Sequence, residues 1–300
     1  MSSKRLLVFG GSGFIGQQFI ARATQQGHAV LAIVRSHASA EKLAHLPVDT
    51  EVVNHSDDFA LEPFFAKVDT VINLVGILHE TRLNTFESVH VDFPKRLLSH
   101  CQKSRVEQYV NMSALPASSA HGPSQYLFSR GRGEDAIHQV DSTTEVVSLR
   151  PSIVFGRDDH FLWPFAKIVR RVPIFPLVCP ESRFAPVFVG DLIDVLLDLI
   201  AERCYVSETR IDLCGPSIYT FRELIQYLTE ATNSTCRVVG LPDIISRLQA
   251  RLLNYLPYKF FTYDNYLSLQ ADSVSADNGF ENFGIKPKSL DSIMRPLLSG

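Results

Sequence analysis

Val8-Phe9-Gly10-Gly11-Ser12-Gly13-Phe14-Ile15-Gly16 is the stretch from which this chain's fold is read. The apolar run that leads into it, residues 6–9, is too short for a buried helix and predicts a strand. The stretch that leaves it carries Phe14, Ile15, Phe19, Ile20 and Ala23 on one helical face and ends at Gly27. Between the two, Gly10, Gly13 and Gly16 form GxxGxxG. Gly10 permits the tight turn, Gly13 lets the backbone approach a pyrophosphate, and Gly16 lets helix and strand pack closely. The helix N-terminus adds unpaired N–H donors and a partial positive charge, which together hold phosphate. A glycine pattern alone is a weak signal; strand, turn and helix in this order make it an expectation of dinucleotide binding.

Working outward, short apolar runs at residues 29–34, 70–74, 108–112 and 145–149 predict further strands. Helical periodicity at 86–103 and 126–139 predicts helices between them. Continuous apolar strands separated by helices imply a parallel sheet covered on both faces. The expected fold class is α/β, a Rossmann-type doubly wound sheet with a smaller C-terminal α/β lobe. Residues 1–150 would form the NAD(P)-binding domain, with returning segments from 151–215, and residues 151–300 the substrate or partner lobe. Prolines at 164, 173, 176, 180 and 186 mark a rearranged region, followed by predicted helices at 191–201, 219–232 and within 241–269.

Composition narrows the function classes. With 29 basic and 32 acidic residues the net charge is −3, which is no footprint for nucleic acid. Hydrophobic residues make up 45% of the chain, which argues against disorder, and no apolar run approaches the ~20 residues of a membrane span. Met-Ser-Ser-Lys-Arg leads directly into the first strand, so a cytoplasmic protein without a signal peptide is expected. The five cysteines are widely spaced and never form CxxC, which predicts buried or neutral thiols and no metal site.

Cofactor choice is read at the end of the second strand. An NAD-preferring site places Asp or Glu there for the ribose 2′-hydroxyl; this chain has Val34-Arg35-Ser36. The Arg35 guanidinium can pair with a 2′-phosphate and Ser36 can add a donor, so NADP(H) is preferred, with NAD(H) the alternative. A solvated surface arginine is the other reading of Arg35.

These residues resemble the short-chain dehydrogenase/reductase superfamily in its extended or atypical, epimerase/dehydratase-like branch. The subgroup most similar contains the nucleotide-binding accessory subunit of respiratory complex I and its bacterial relatives. The matching pieces are the opening glycine motif, Asn73-Leu74-Val75-Gly76-Ile77-Leu78, Arg150-Pro151-Ser152-Ile153-Val154-Phe155-Gly156 and Pro186-Val187-Phe188-Val189-Gly190-Asp191. Near the end come Leu256-Pro257, Thr262-Tyr263-Asp264-Asn265 and Leu269-Gln270-Ala271-Asp272-Ser273-Val274. The resemblance implies that Gly10, Ser12, Gly13, Phe14 and Ile15 surround the pyrophosphate and Arg35 the 2′-phosphate. Asn54, in Asn54-His55, stands where relatives often carry an Asp beside the adenine. Leu74, Val75 and Gly76 would line the adenine-ribose side, and Pro151 and Ile153 would lie under the nicotinamide. Core packing is the plainer role for Leu74 and Val75.

The superfamily's chemistry uses a Tyr, a Lys four residues later on the same helix face, and a Ser at a neighbouring strand end. Tyr126 and Ser113 fit two of these places, but the Lys position is Arg130. Arginine keeps the charge that depresses a tyrosine pKa, yet its planar fork does not replace an ammonium at a tight site. Two readings follow. One is an NADP(H)-binding protein with weak or no turnover, whose dinucleotide is structural or regulatory and which is linked to a complex I-type assembly. The other is an active reductase or epimerase on a small carbonyl compound or sugar nucleotide; Arg170, Arg171 and Arg183 are its available diphosphate partners, although solvated face residues are the preferred reading of all three. The stretch 246–269, with Leu248, Leu252, Leu253, Leu256, Phe260 and Phe261 interleaved with Arg247, Arg251 and Lys259, reads in two ways. It is either the hydrophobic face of a lobe helix or a stripe that lies on a membrane surface, or on a membrane-associated partner, at the inner face of a membrane.

Overall fold

The expected strands form where short runs rich in β-branched and aliphatic residues, such as Ala29–Val34 and Thr70–Asn73, stand between polar or glycine turns. The computed structural model describes residues 3–54, 57–201, 209–242, 244–247 and 262–299. In chain order its first half comprises β1 (Arg5–Phe9), α1 (Phe14–Gln25), β2 (Ala29–Val34), α2 (His37–Glu41), β3 (Asp49–Val52), α3 (Asp58–Leu61) and β4 (Thr70–Asn73). A π-helical turn (Glu87–Asp92) then runs into α4 (Phe93–Ser104), followed by β5 (Gln108–Met112), α5 (Gln125–His138) and β6 (Glu145–Pro151). The second half adds β7 (Val154–Phe155), α6 (Leu162–Val169), β8 (Ile174–Leu177), β9 (Arg183–Phe184), β10 (Val187–Phe188) and α7 (Val189–Ile200). It continues with β11 (Arg210–Leu213), β12 (Tyr219–Thr220), α8 (Phe221–Ala231), β13 (Arg237–Gly240) and, among others, the helices Tyr263–Ser268 and Leu290–Ser299.

Seven strands form one sheet in the order β11-β6-β5-β4-β1-β2-β3, and every pairing among β1 to β6 is parallel. The chain steps outward from β1 to β2 and β3, then returns to the other side of β1 as β4. The winding therefore reverses between β1 and β4, and in such sheets ligands bind beyond the carboxyl ends of the strands at that reversal. β1 and β4 are buried on both faces, as strands covered by helices must be. Phe9, Val71 and Tyr109 pack with Phe65, Phe93 and Leu97 beneath the helices, and the Phe93 ring meets Phe9 edge to face at 5.5 Å. Each such buried side chain is worth about 1.5–3 kcal/mol of transfer free energy.

The chain divides into two compact units. The first comprises Met1–Ser113, Ser129–Arg150 and Leu192–Ile211, and the second Ala114–Phe128, Pro151–Asp191 and Asp212–Gly300. Among the described residues, the second unit holds three two-stranded ribbons, β7 with β10, β8 with β13 and β9 with β12. Its core gathers Phe155, Leu162, Phe184, Phe221, Leu224 and Met294, and the Phe221 ring lies 5.4 to 5.9 Å from those of Phe161, Phe165 and Phe184. Thr220 and Glu223 close a reciprocal capping box at the start of α8.

One expected helix takes another form. The helix expected over 86–103 opens as a π-helix; one inserted residue leaves the apolar spacing recognisable, so periodicity does not reveal it. In the stretch 241–269, residues 244–247 and Tyr263–Ser268 are helical, whereas 248–261, and with them most of the amphipathic stripe, lie outside the described residues. Among the described residues, no helix is long and apolar enough to cross a membrane. Cys101, Cys214 and Cys236 are buried thiols whose pKa values burial pushes up, and Cys179 is partly buried; Cys204 lies outside the described residues.

Candidate functional site

In the first unit the turn from β1 to α1 is built around Gly10. Its φ is +80°, and a Cβ there would lie 2.8 Å from the Leu74 carbonyl carbon and 3.0 Å from the Val75 nitrogen. The glycine thus lets the turn press against the chain leaving β4, across the winding reversal. The Gly13 N–H donates to the Gly10 carbonyl at 3.0 Å, and a Cβ on Gly16 would collide with that same carbonyl. Helix α1 starts after Gly13 with no capping side chain and no acidic residue in its first turn. Its positive end is therefore not neutralised by a carboxylate of its own, which leaves it suited to an anion.

Arg35 leaves the end of β2 exposed and makes no side-chain hydrogen bond among the described residues. Ser36 caps α2: its Oγ accepts from the Ser39 N–H at 3.3 Å and lies 3.1 Å from Ser39 Oγ. Asn54 is exposed after β3, with its carbonyl accepting from the Asp57 N–H at 3.0 Å; His55 lies outside the described residues.

Beyond β4, a side-chain amide pair that sequence reasoning did not find sets the loop. Asn73 and Asn111 face each other in the β4–β5 register, and Asn73 Nδ2 donates to Asn111 Oδ1 at 2.9 Å. Asn73 Oδ1 in turn accepts from the Val75 N–H at 3.1 Å, which aims residues 74–76. Leu74 and Val75 are half-buried and Gly76 is exposed. The Arg130 guanidinium lies over Gly76, where a Cβ would collide with it. Its Nη1 donates to the Met112 carbonyl at 2.9 Å and to that of Val75 at 3.4 Å.

Ser113 Oγ donates to Glu134 Oε2 at 2.6 Å, and Glu134 is 3% exposed. Burial pushes the Glu134 carboxyl up, partly offset by Ser113, Arg150 and Arg210; the Arg210 Nε lies 3.3 Å from it. The Ser113 proton is thus engaged with a buried carboxyl, a partner that only the three-dimensional arrangement discloses.

The second unit holds the remaining sequence-predicted residues. Tyr126 is half-buried in the first turn of α5, whose leading N–H groups are capped by a carboxylate from far along the chain. Asp264 accepts from the Gln125 N–H at 2.7 Å and the Tyr126 N–H at 3.1 Å. Pro151 is buried, and Ile153 is half-buried with its carbonyl accepting from the Val187 N–H. Of the three candidate diphosphate partners, Arg183 is paired with Asp272 at 2.8 Å and Arg170 donates to the Leu298 carbonyl. Arg171 lines an open cavity of about 400 Å³ with Trp163, Lys167 and His160. Among the described residues, no three His, Cys, Asp or Glu side chains converge as metal ligands.

Glycines that admit only backbone at the β1–β4 reversal and an α1 N-terminus without an acidic cap suit a phosphate group. Comparisons with known proteins give the family and the fold. Residues 6–202 match the NAD dependent epimerase/dehydratase family. The chain is 30% identical over 305 residues to the Photosystem II assembly factor Ycf39 of Synechocystis sp., covering 96% of this chain and 88% of that protein. It is 25% identical over 301 residues to NADH dehydrogenase [ubiquinone] 1 alpha subcomplex subunit 9, mitochondrial, of Arabidopsis thaliana, covering 94% and 74% respectively. The fold is that of the Bordetella bronchiseptica enzyme WbmG in complex with NAD and UDP, at a TM-score of 0.73 and 17% identity over 99% of this chain and 93% of that one. With about two thirds of its length matched by the family and the sheet order to go with it, the chain belongs to the NAD dependent epimerase/dehydratase family.

Proposed function

We propose that this protein binds NADP(H) and keeps it as a structural or regulatory element, with weak or no turnover. The observation that carries the reading is the winding reversal between β1 and β4, where Gly10 packs on the Leu74–Val75 backbone beside an α1 N-terminus free of acidic side chains. Gly10, Ser12, Gly13, Phe14 and Ile15 would hold the linking phosphates, Arg35 with Ser36 the 2′-phosphate, and Asn54 with residues 74–76 the adenine side. Arg130 would face the second ribose, with Tyr126, Pro151 and Ile153 serving the nicotinamide.

When bound, a nicotinamide dinucleotide supplies hydride chemistry. What the chain's own residues offer that chemistry is limited. The Arg130 fork is engaged by two backbone carbonyls, and the Ser113 proton is given to Glu134. Neither is arranged as a lysine and a substrate-facing serine would be. A dinucleotide that binds only the folded chain stabilises it by about 2.7 kcal/mol at a hundred times its Kd, enough for a structural role. Relatives named as a subunit of NADH dehydrogenase and as a Photosystem II assembly factor support a role in assembling a multi-subunit redox complex. A membrane-associated protein partner, met at the inner face of a membrane, belongs to the same proposal.

Calorimetry on nucleotide-stripped protein tests the binding: heat is expected with NADPH, weaker heat with NADH, and none with either overturns the reading. NADPH should stay reduced in the presence of a panel of carbonyl compounds, and Arg130→Lys should raise its oxidation. Steady oxidation by the wild type that vanishes in Tyr126→Phe would establish an enzyme instead.

A further inference from the structure

His90 sits in the π-helical turn, 2% exposed, and its two ring nitrogens have different partners. Nε2 accepts from the Ile77 N–H at 3.1 Å, so that nitrogen carries no proton. The proton is then on Nδ1, which donates to Ser129 Oγ at 2.9 Å. A neutral imidazole has one donor and one acceptor, and both are used here. Burial, and after it the Arg130 charge, push the His90 pKa down to about 2, so the ring stays neutral at any physiological pH. The Phe86 ring stacks on it at 5.4 Å.

Both partners adjoin Arg130. Ile77 follows the loop whose Val75 carbonyl accepts from Arg130 Nη1, and Ser129 precedes Arg130 on α5. The same two elements are therefore tied twice, once through the His90 ring and once through the guanidinium, which also reaches Met112 on β5. Gly133, one turn further along α5, passes so close to the His90 carbonyl that a Cβ there would collide with it. The π-turn thus meets α5 twice, through the ring and through the backbone. Moving the ring would break its bonds to the loop and to α5 together.

We infer that His90 is a positioning residue for the dinucleotide: its ring bridges residues 75–77 to α5 and so fixes where the Arg130 guanidinium meets the nicotinamide half of the ligand. The inference rests on the dinucleotide reading above. Double-mutant cycles read by NADPH calorimetry test it, with thermal melts to confirm folding. His90→Phe keeps the stack on Phe86 and loses both hydrogen bonds; it should weaken NADPH binding about tenfold. His90→Gln, which keeps one donor and one acceptor, should recover part of that loss. Arg130→Ala should weaken binding similarly, and adding His90→Phe to it should cost little more, because the two act as one unit. Adding His90→Phe to Arg35→Ala should cost the full tenfold, because Arg35 lies at the other end of the ligand.

A His90→Phe variant that binds as wild type does, or whose loss adds in full to that of Arg130→Ala, overturns the inference while leaving the dinucleotide reading standing. A wild type that binds no dinucleotide overturns both. Independently of any variant, the ¹⁵N shifts of wild-type His90 should show a protonated Nδ1 and a bare Nε2 from pH 5 to pH 8. The opposite tautomer, or a ring that titrates in that range, also overturns it.

Discussion

At Gly10 two costs of adding a methyl group coincide. A φ of +80° is strained for an L side chain, and the new Cβ would lie 2.8 Å from the Leu74 carbonyl carbon. Gly27 has a similar φ of +86° with nothing within 4 Å of a Cβ, so it isolates the first cost. Gly27→Ala should lose about 1–2 kcal/mol in urea unfolding, and Gly10→Ala distinctly more, with NADPH binding lost as well. Equal losses would show that the approach to β4 contributes nothing. At Arg35 the expected effect is on ligand choice alone. Losing a charge-assisted pair with a 2′-phosphate is worth about 1.5–3 kcal/mol, or roughly 10- to 150-fold. Arg35→Ala should weaken NADPH by that factor and leave NADH within about twofold in parallel titrations; an equal loss for both nucleotides would remove Arg35 from the 2′-phosphate. These positions were legible in the sequence because their meaning is local: a turn after a strand, a side chain at a strand end, an arginine four residues after a tyrosine. The Asn73–Asn111 pair was not, because two amides 38 residues apart meet only through a strand register that no local pattern encodes.

Helix α5 shows the same limit in another form. A helix is expected here from the order of the elements, but its first turn depends on Asp264, which lies 139 residues after Gln125. The carboxylate accepts two leading N–H groups and places a negative charge at the positive end of the helix, while Ser124 Oγ accepts from the Leu127 N–H at 3.1 Å. A lost cap costs about 0.5–2 kcal/mol. Asp264→Ala should fall at the upper end of that range in urea titration, because two bonds and a charge go together, and Asp264→Asn should retain part of the cap. If Asp264→Ala unfolds at the wild-type urea concentration, the cap carries no stability. Thr262-Tyr263-Asp264-Asn265 stood out in the sequence as part of a family-like tail, but nothing in its own pattern says which helix it serves. The π-turn at Glu87–Asp92 was hidden for a different reason: its buried residues Val89, His90 and Val91 read as ordinary apolar spacing until the backbone is seen.

The alternation of strands and helices was enough to infer a doubly wound parallel sheet, yet the strand order that places the reversal between β1 and β4 is a property of long-range pairing. Buried polar groups inside that order set how the first unit responds to acid. His90 and His138 both have pKa values depressed chiefly by burial, to about 2 and about 4, against 6.5 when exposed. A depressed folded pKa means that the unfolded chain takes up protons first, so stability is complete above pH 6.5 and falls as the pH drops below it. The loss continues to about pH 4 for His138 and further for His90. One linked proton gives a slope of at most about 1.4 kcal/mol per pH unit, to which the partly buried His138 adds a screened, smaller share. Glu134 acts in the opposite sense. Its raised pKa lets the folded state take up a proton before the unfolded one, which partly offsets the loss as the pH falls. Urea unfolding between pH 7 and pH 5 should therefore show falling stability in the wild type. The slope should flatten most in His90→Gln and slightly in His138→Gln, and Glu134→Gln should lack the offset that the raised carboxyl provides as the pH falls. A wild type equally stable at pH 7 and pH 5, with all three variants parallel to it, would mean that these side chains reach solvent and that the polar interior described around Arg130 and Ser113 is not closed.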